Sequence, residues 1–249
     1  MRTFVKTDPA PLEAAGLRWL AETGARVPEI VDERPDALVL RRIPLGRLDD
    51  AGEEELGRML ARMHAAGADR FGSLPAPGPF FVGRYELDHP ESDDWAEHYR
   101  QVLCLPPARA VGLERDVARL VVDAPAEPPA RLHGDLWSGN VLADDHGRPW
   151  LIDPAAYGGH REVDLAMLDL FGHIPDRTVA AYDEAYPLAE GWRERTPLWQ
   201  LFPLLVHAAL FGGSYVRQAR DLAVRLSKPA APLPGRRGAA HRTARGTSP

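Results

Sequence analysis

The chain has 249 residues, of which 45% are hydrophobic and 27% charged, and its formal net charge at pH 7 is -6. This length can hold one large domain or two modest ones, and the composition is that of a globular protein. The acidic excess argues against nucleic-acid binding, and the lack of a long apolar run argues against a membrane span. A single cysteine, Cys104, excludes an intrachain disulfide and a cysteine-based zinc site. With no signal-peptide pattern, the expected location is cytoplasmic.

The first two predicted elements hold a candidate ion pair. Residues 3–7 predict a strand, and Asp8-Pro9 is typical of the start of a helix, here one that runs to about Gly24. Glu13 shares a face of that helix with two leucines, where a carboxylate requires a cation. Lys6, one of only two lysines in the chain, is the candidate partner. The alternative is a surface glutamate at the helix edge.

The remaining elements follow from apolar periodicity and from turn residues. The predictions are strands over 27–31 and 37–43, a connector over 44–47, a Pro/Gly-rich loop over 72–83, and helices over 53–66, 95–105, 113–122, 178–186 and 199–225. The segment 158–166 is predicted to pass from a loop into a helix that ends at about residue 171. The segment 228–249 has one Lys, four Arg and no acidic residue, and almost no apolar content beyond Ala and Pro. We predict that this basic tail is disordered.

Three polar side chains follow a spacing that is typical of phosphoryl transfer. Asp135 and Asn140 are five residues apart, as in the kinase loop in which Asp receives the hydroxyl proton and Asn holds Mg²⁺. Asp153 follows thirteen residues after Asn140. Turn residues between two short apolar runs predict a hairpin of 140–143 with 149–152, which brings Asn140 close to Asp153. Amide and carboxylate oxygens suit Mg²⁺, so a metal site is favoured over an ordinary hairpin.

The motifs around these residues resemble the fructosamine kinase (ketosamine 3-kinase) family. They are HGDLW-x-GN at 133–140, IDPA at 152–155 and GHRE-x-DLA at 159–166. This family belongs to the protein-kinase-like group, together with aminoglycoside phosphotransferases and choline kinases. Trp137 is the sharper marker, because those two classes usually carry another residue there. The resemblance covers nearly the whole chain.

The resemblance implies an α+β, protein-kinase-like fold with two lobes. We expect a small, incomplete, β-rich ATP-binding lobe over 1–45, a larger and mainly helical catalytic and substrate-binding lobe with a β-hairpin over 46–227, and the tail over 228–249. The implied reaction is phosphorylation by ATP of the 3-hydroxyl of ketosamines, which are sugar adducts of amines. The 3-phosphate is unstable and releases the amine, so the reaction repairs glycation.

The resemblance also assigns site residues, with ATP and Mg²⁺ as cofactors and a ketosamine as the partner of a monomer. Asp135 is the expected proton acceptor, and Asn140 and Asp153 are the expected Mg²⁺ ligands. The residues expected to contact ATP are Lys6, Glu13, Arg41, Arg42 and Ile43. The residues expected to bind substrate are Trp137, His133, His160 and Arg161.

Several of these assignments have a structural alternative. Trp137 is expected to pack its ring against the sugar. His133 is better explained by hydrogen bonds that brace the catalytic loop than by acid–base chemistry, because Asp135 already fills the base role. His160 and Arg161 are equally well explained by substrate contact or by holding their own loop. Asp164, at the start of a predicted helix, is expected to cap or anchor backbone.

The sequence departs from the family pattern in one respect that bears on whether the chain is active. Family members place two strands and a glycine-rich turn ahead of the lysine strand, but only five residues precede Lys6, and no G-x-G-x-x-G occurs. Either about 30 upstream residues are missing, or the lobe is stunted and activity is weak. Two rival functions follow: an aminoglycoside- or choline-type phosphotransferase, against which Trp137 argues, and a catalytically impaired binding module, against which the complete set of Asp135, Asn140 and Asp153 argues.

Overall fold

The computed structural model describes residues 2–7 and 11–227, and the chain folds as an α+β protein, as expected. Its N-terminal sheet has three antiparallel strands in the order β1-β3-β2, namely β1 (Thr3–Thr7), β2 (Ile30–Arg34) and β3 (Ala37–Arg41). The prediction for β1 is confirmed at both ends. The second strand begins later than predicted, beyond a proline that cannot donate a backbone hydrogen bond to a ladder.

Helix α1 (Glu13–Ala21) packs on this sheet. Leu17 of the helix is buried against two leucines of β3, Leu38 and Leu40, which forms a small apolar core. The predicted helix start at Asp8-Pro9 and the predicted tail lie outside the described residues. Because α1 is anchored by its apolar face, Glu13 at its first turn is held at a fixed position over the sheet.

The rest of the described chain is mainly helical, with short two-stranded hairpins between the helices. The helices are α2 (Asp50–Ala65), α3 (Trp95–Glu97), α4 (Leu105–Ala110), α5 (Glu114–Val117), α6 (Glu162–Leu170), α7 (Asp176–Ala185), α8 (Trp192–Phe211) and α9 (Ser214–Leu226). The paired strands are β4 (Phe80–Val82) with β5 (Tyr85–Leu87), β6 (Ala130–Leu132) with β9 (Tyr157–Gly159), and β7 (Val141–Ala143) with β8 (Pro149–Leu151). None of the helices in the described ranges has the length and apolar character of a membrane span.

Several predicted boundaries were wrong. The single helix predicted over 199–225 begins earlier and is interrupted at Gly212 and Gly213, whose positive φ angles of 64° and 59° end α8. The helix predicted over 113–122 is one short turn, and the loop predicted over 72–83 contains β4. Strands of three residues are too short to show alternation, so β4, β5, β6 and β9 were missed, whereas the hairpin of β7 and β8 was recognised from its turn residues.

The catalytic segment is built onto the α2–α7 helix pair. Gly57 of α2 lies so close to α7 that a Cβ would be 2.2 Å from the Thr178 carbonyl oxygen. The apolar core formed between the two helices also buries Leu136 of the catalytic run and Leu151 of β8. The predicted hairpin is confirmed, and its inner side is fixed by this core.

The connector after the N-terminal sheet is attached to the same hairpin. The Gly46 N–H donates to the Ala143 carbonyl at 2.9 Å, and a Cβ at Gly46 would lie 2.2 Å from the Asp144 carbonyl oxygen. The buried Asp144 carboxylate accepts hydrogen bonds from two backbone amides of its turn and from the Trp150 indole. These contacts fix the sheet next to the hairpin.

A buried cluster of imidazole and aromatic rings lies below β9. The rings of His89 and His98 are 4.9 Å apart, and that of Tyr157 lies 5.1 Å from His89. Neither ring nitrogen of His98 has a hydrogen-bond partner among the described residues. Burial lowers the pKa of His98 to about 3 and that of His89 to about 4. The fold therefore holds both rings neutral.

This cluster predicts a pH-dependent stability. An unfolded histidine has a pKa near 6.5, so the unfolded chain binds protons that the folded chain excludes, and stability is full above about pH 6.5 and falls below it. We expect His98→Leu to reduce the loss of unfolding free energy between pH 7.5 and 5.0 by about 2 kcal/mol, measured by urea denaturation. His173→Leu is the control, because the His173 side chain is 72% exposed. Equal losses in both variants would contradict the account.

Candidate active site

The loop that leads into Asp135 is anchored by the buried carboxylate of Asp164, near the start of α6. The backbone N–H groups of His133 and Gly134 donate to its two oxygens at 2.7 and 3.0 Å. Its Oδ2 also lies 3.2 Å from Nε2 of His64, whose Nδ1 is 2.8 Å from the Tyr182 hydroxyl. The expectation that Asp164 anchors backbone is confirmed.

His133 braces the loop from inside. Its buried ring donates from Nε2 to the Ile152 carbonyl at 2.9 Å and accepts at Nδ1 from the Asp135 N–H at 3.3 Å. Burial lowers its pKa, which agrees with a neutral ring. Gly134 has a φ of 79°, and a Cβ there would lie 1.9 Å from the Ala155 carbonyl oxygen. The turn therefore requires glycine immediately before Asp135.

Asp135 and Asn140 are in direct contact, which was not predicted. The Asn140 side-chain amide donates to the Asp135 carbonyl at 2.8 Å and to its carboxylate at 3.1 Å. Burial raises the pKa of Asp135, although His133 and Asn140 oppose the rise. Both donors of Asn140 are thus directed at Asp135, so its Oδ1 is left as an acceptor.

Lys6 links the N-terminal sheet to the catalytic hairpin. Its Nζ lies 2.6 Å from the Glu13 carboxylate, which confirms the predicted pair, and 3.1 Å from Oδ1 of Asp153, which was not predicted. Burial lowers the pKa of Lys6, but Glu13 and Asp153 raise it more, so the ammonium is retained. Lys6, the expected phosphate-binding cation, thus lies next to Asp153, an expected Mg²⁺ ligand.

Asp153 has a φ of 54°, in the left-handed region that non-glycine residues seldom adopt. Such strain is typical of functional positions. The Ile152 N–H donates to the Asn140 carbonyl at 3.1 Å, so Asn140 and Asp153 share one end of the hairpin. The side-chain oxygens of Asn140 and Asp153 are of the kind that Mg²⁺ binds, since it takes few protein ligands and completes its shell with phosphates and water. The described residues contain no cluster of three or more His, Cys, Asp or Glu side chains suited to a metal.

The segment Arg41, Arg42 and Ile43 lines two open cavities, of about 520 and 360 Å³, and the smaller one is also lined by the hairpin. The Arg41 side chain pairs with Glu29 at 2.5 Å, and the Arg42 N–H donates to the Arg2 carbonyl at 3.1 Å. Contact of this segment with adenine stays a prediction.

A separate pocket of about 390 Å³ opens beside Asp135 and Trp137. The Trp137 ring is 39% exposed and lies on the backbone of Gly139, where a Cβ would be 2.2 Å from the ring. Glycine at 139 therefore leaves room for the Trp137 ring in this position.

The sequence model of the fructosamine kinase family matches residues 4–228. The chain belongs to the fructosamine kinase family. A probable ketoamine kinase of Thermus thermophilus is 40% identical over 227 residues, covering 86% of this chain and 84% of that protein. A candidate fructosamine-3-kinase of Thermobifida fusca is 41% identical, with a TM-score of 0.79 over 90% of this chain and 85% of that one.

More distant structures bear on the fold alone. A choline kinase of Streptococcus pneumoniae is 18% identical, with a TM-score of 0.54 over 90% of this chain and 85% of that one. The expected protein-kinase-like fold is confirmed, and the chain is a member of a family of kinases.

Three of the four residues expected to bind substrate, His133, His160 and Arg161, do not line the pocket beside Asp135. Arg161 is 4% exposed, and its guanidinium holds both oxygens of Glu127 at 2.7 and 2.8 Å and the carbonyls of Tyr186 and Pro187. The buried His160 ring stacks 5.2 Å from that of Trp199. Their contacts match the structural alternative, in which both residues hold their own loop.

The pocket of the kinase also contains aromatic residues that sequence reasoning missed. They come from the end of α6 and from helices α8 and α9, and they are Phe171, His207, Phe211 and Tyr215. Helical spacing of aromatic residues is the same for a core face and a ligand-binding face, so periodicity gave no signal that separates the two.

The anchor at Asp164 predicts a large loss of stability on substitution. Asp164→Ala leaves two buried amides and a buried imidazole without their acceptor, so we expect the free energy of unfolding to fall by about 3 kcal/mol, measured by urea denaturation. Asp176→Ala is the control, because the Asp176 side chain is 86% exposed. A loss no larger than that of the control would show that the carboxylate does not hold the loop.

Proposed function

We propose that this chain transfers the γ-phosphoryl group of ATP to the 3-hydroxyl of ketosamines and thereby promotes deglycation. The observation that carries the proposal is the continuous set of contacts from Glu13 through Lys6 to Asp153, together with the Asp135–Asn140 contact at the mouth of the pocket. Membership of the fructosamine kinase family supports the same reaction class.

Asp135 is the proposed proton acceptor. The substrate hydroxyl oxygen bonds to the γ-phosphorus, the bond from that phosphorus to the bridging oxygen breaks, and ADP leaves. The hydroxyl proton passes to the Asp135 carboxylate. Asn140 holds the carboxylate in position through its amide. Alignment of hydroxyl and phosphate supplies most of the catalysis in a loose transition state.

The negative charge of the nucleotide phosphates would be neutralised through Lys6, Asn140 and Asp153. Asn140 Oδ1 and the Asp153 carboxylate would hold Mg²⁺, which neutralises phosphate charge when it is bound. Lys6, oriented by Glu13, would contact the phosphates from the sheet side. Its present contact with Asp153 keeps the ammonium next to the metal ligand.

Trp137 supports a sugar as the acceptor. An exposed indole beside the proton acceptor presents a flat apolar face to the C–H surface of a sugar. A phosphate on C3 lies next to the C2 carbonyl of a ketosamine, so the product is prone to elimination and releases its amine.

We expect Asp135→Asn to lower kcat for a synthetic fructosamine at least 10²-fold, because the amide cannot accept the proton, while the circular dichroism spectrum stays unchanged. The assay is Mg-ATP-dependent release of ADP, with choline and an aminoglycoside as competing acceptors. Asp145→Asn, on the exposed hairpin turn, is the control. No fructosamine-dependent turnover by the parent chain, or faster turnover of choline or the aminoglycoside, would contradict the proposal.

We expect Lys6→Met to raise the KM for ATP by about tenfold or more, because one charged hydrogen bond to phosphate contributes about 1.5–3 kcal/mol. The KM for the fructosamine should change little. Arg18→Met is the matched control, since it removes the ion pair of Arg18 with Glu33 on the sheet surface. An unchanged KM for ATP would remove Lys6 from the nucleotide site.

A further inference from the structure

The pocket beside Asp135 is lined by a continuous row of rings. The ring centroids of Trp137 and Phe171 are 6.4 Å apart, and those of Phe171 and His207 are 5.1 Å apart. The centroid of the His207 ring lies 5.6 Å from that of Phe211 and 5.1 Å from that of Tyr215. Phe171 is 40% exposed and Phe211 67% exposed. Exposed aromatic rings grouped at a cavity are typical of a ligand site.

The position of the reacting hydroxyl orients the substrate along this row. The hydroxyl must lie at Asp135, so the sugar occupies the end of the pocket that Trp137 lines. The nitrogen and its substituent then extend past Phe171 and His207 toward Phe211 and Tyr215.

The charges of the lining residues restrict that substituent. Among the described residues that line the pocket, Asp135 is the only charged side chain, and none is Lys or Arg. A carboxylate on the substituent would have no cation to pair with, which makes its burial unfavourable. An ammonium is accepted by ring faces through cation–π contacts.

His207 adds a polar contact for the substrate nitrogen. Its Nδ1 donates to the Pro203 carbonyl at 2.8 Å, which fixes the proton on that nitrogen. The Nε2 lone pair is then an acceptor for an N–H of the substrate. The pocket therefore offers a hydrogen-bond acceptor for the amine and apolar rings for an apolar substituent on it.

We infer that the substrate class is ketosamines of apolar or aromatic amines that lack a carboxylate beside the nitrogen, with Phe211 and Tyr215 as the specificity-determining residues. The inference rests on the proposed function and concerns the substituent rather than the reaction.

The test compares kcat/KM for the fructose adducts of phenethylamine, phenylalanine and methylamine. The first two differ only by a carboxylate, and we expect the phenethylamine adduct to be favoured over the phenylalanine adduct by at least tenfold. Phe211→Ala should reduce the ratio of the phenethylamine to the methylamine adduct severalfold. Val121→Ala, which alters a 70% exposed apolar side chain outside the pocket, should keep the parent ratio.

The outcomes separate the two claims. Equal kcat/KM for the phenethylamine and phenylalanine adducts, or an unchanged ratio in Phe211→Ala, would overturn the substrate class and leave the proposed function standing. Turnover of none of the three adducts would overturn both.

Discussion

The buried carboxylate of Asp164 is the contact on which the geometry of the site depends. It accepts hydrogen bonds from two consecutive loop amides, and the next residue along the chain is Asp135. His64 and Tyr182 connect the same carboxylate to α2 and α7. A carboxylate without hydrogen-bond donors would be costly to bury, so the loop and the helices must form together. The position of Asp135 is therefore fixed by the packing of the helical core.

Lys6 fixes the second part of the site, because its ion pairs connect the small sheet to the hairpin. Its ammonium lies between Glu13 of α1 and Asp153 after β8, and the Gly46 connector contacts the same hairpin through backbone. The residues proposed to contact nucleotide and metal thus come from segments far apart in the chain, held by a few polar contacts. The pocket beside Asp135 is lined in part by rings from the helical part of the chain.

The features that local chemistry determines were predictable from sequence. The spacing of Asp135 and Asn140, the hairpin and the Lys6–Glu13 pair follow from motif, turn residues and helix periodicity. The contact of Lys6 with Asp153 joins elements distant in the chain and leaves no local signal. Arg161 could not be distinguished from a ligand, because its partner Glu127 comes from a Pro-rich stretch with no predicted element. Short strands and the aromatic pocket were missed because their patterns match those of loops and core helices.

The most direct test of the account is the site of phosphorylation. The chain is incubated with Mg-ATP and the fructose adduct of methylamine, and the product is examined at once by ³¹P and ¹H NMR. The account predicts a phosphomonoester whose phosphorus couples to the proton on C3, followed by release of methylamine and loss of the ester. A stable ester on another hydroxyl, or no phosphorylated sugar, would contradict it.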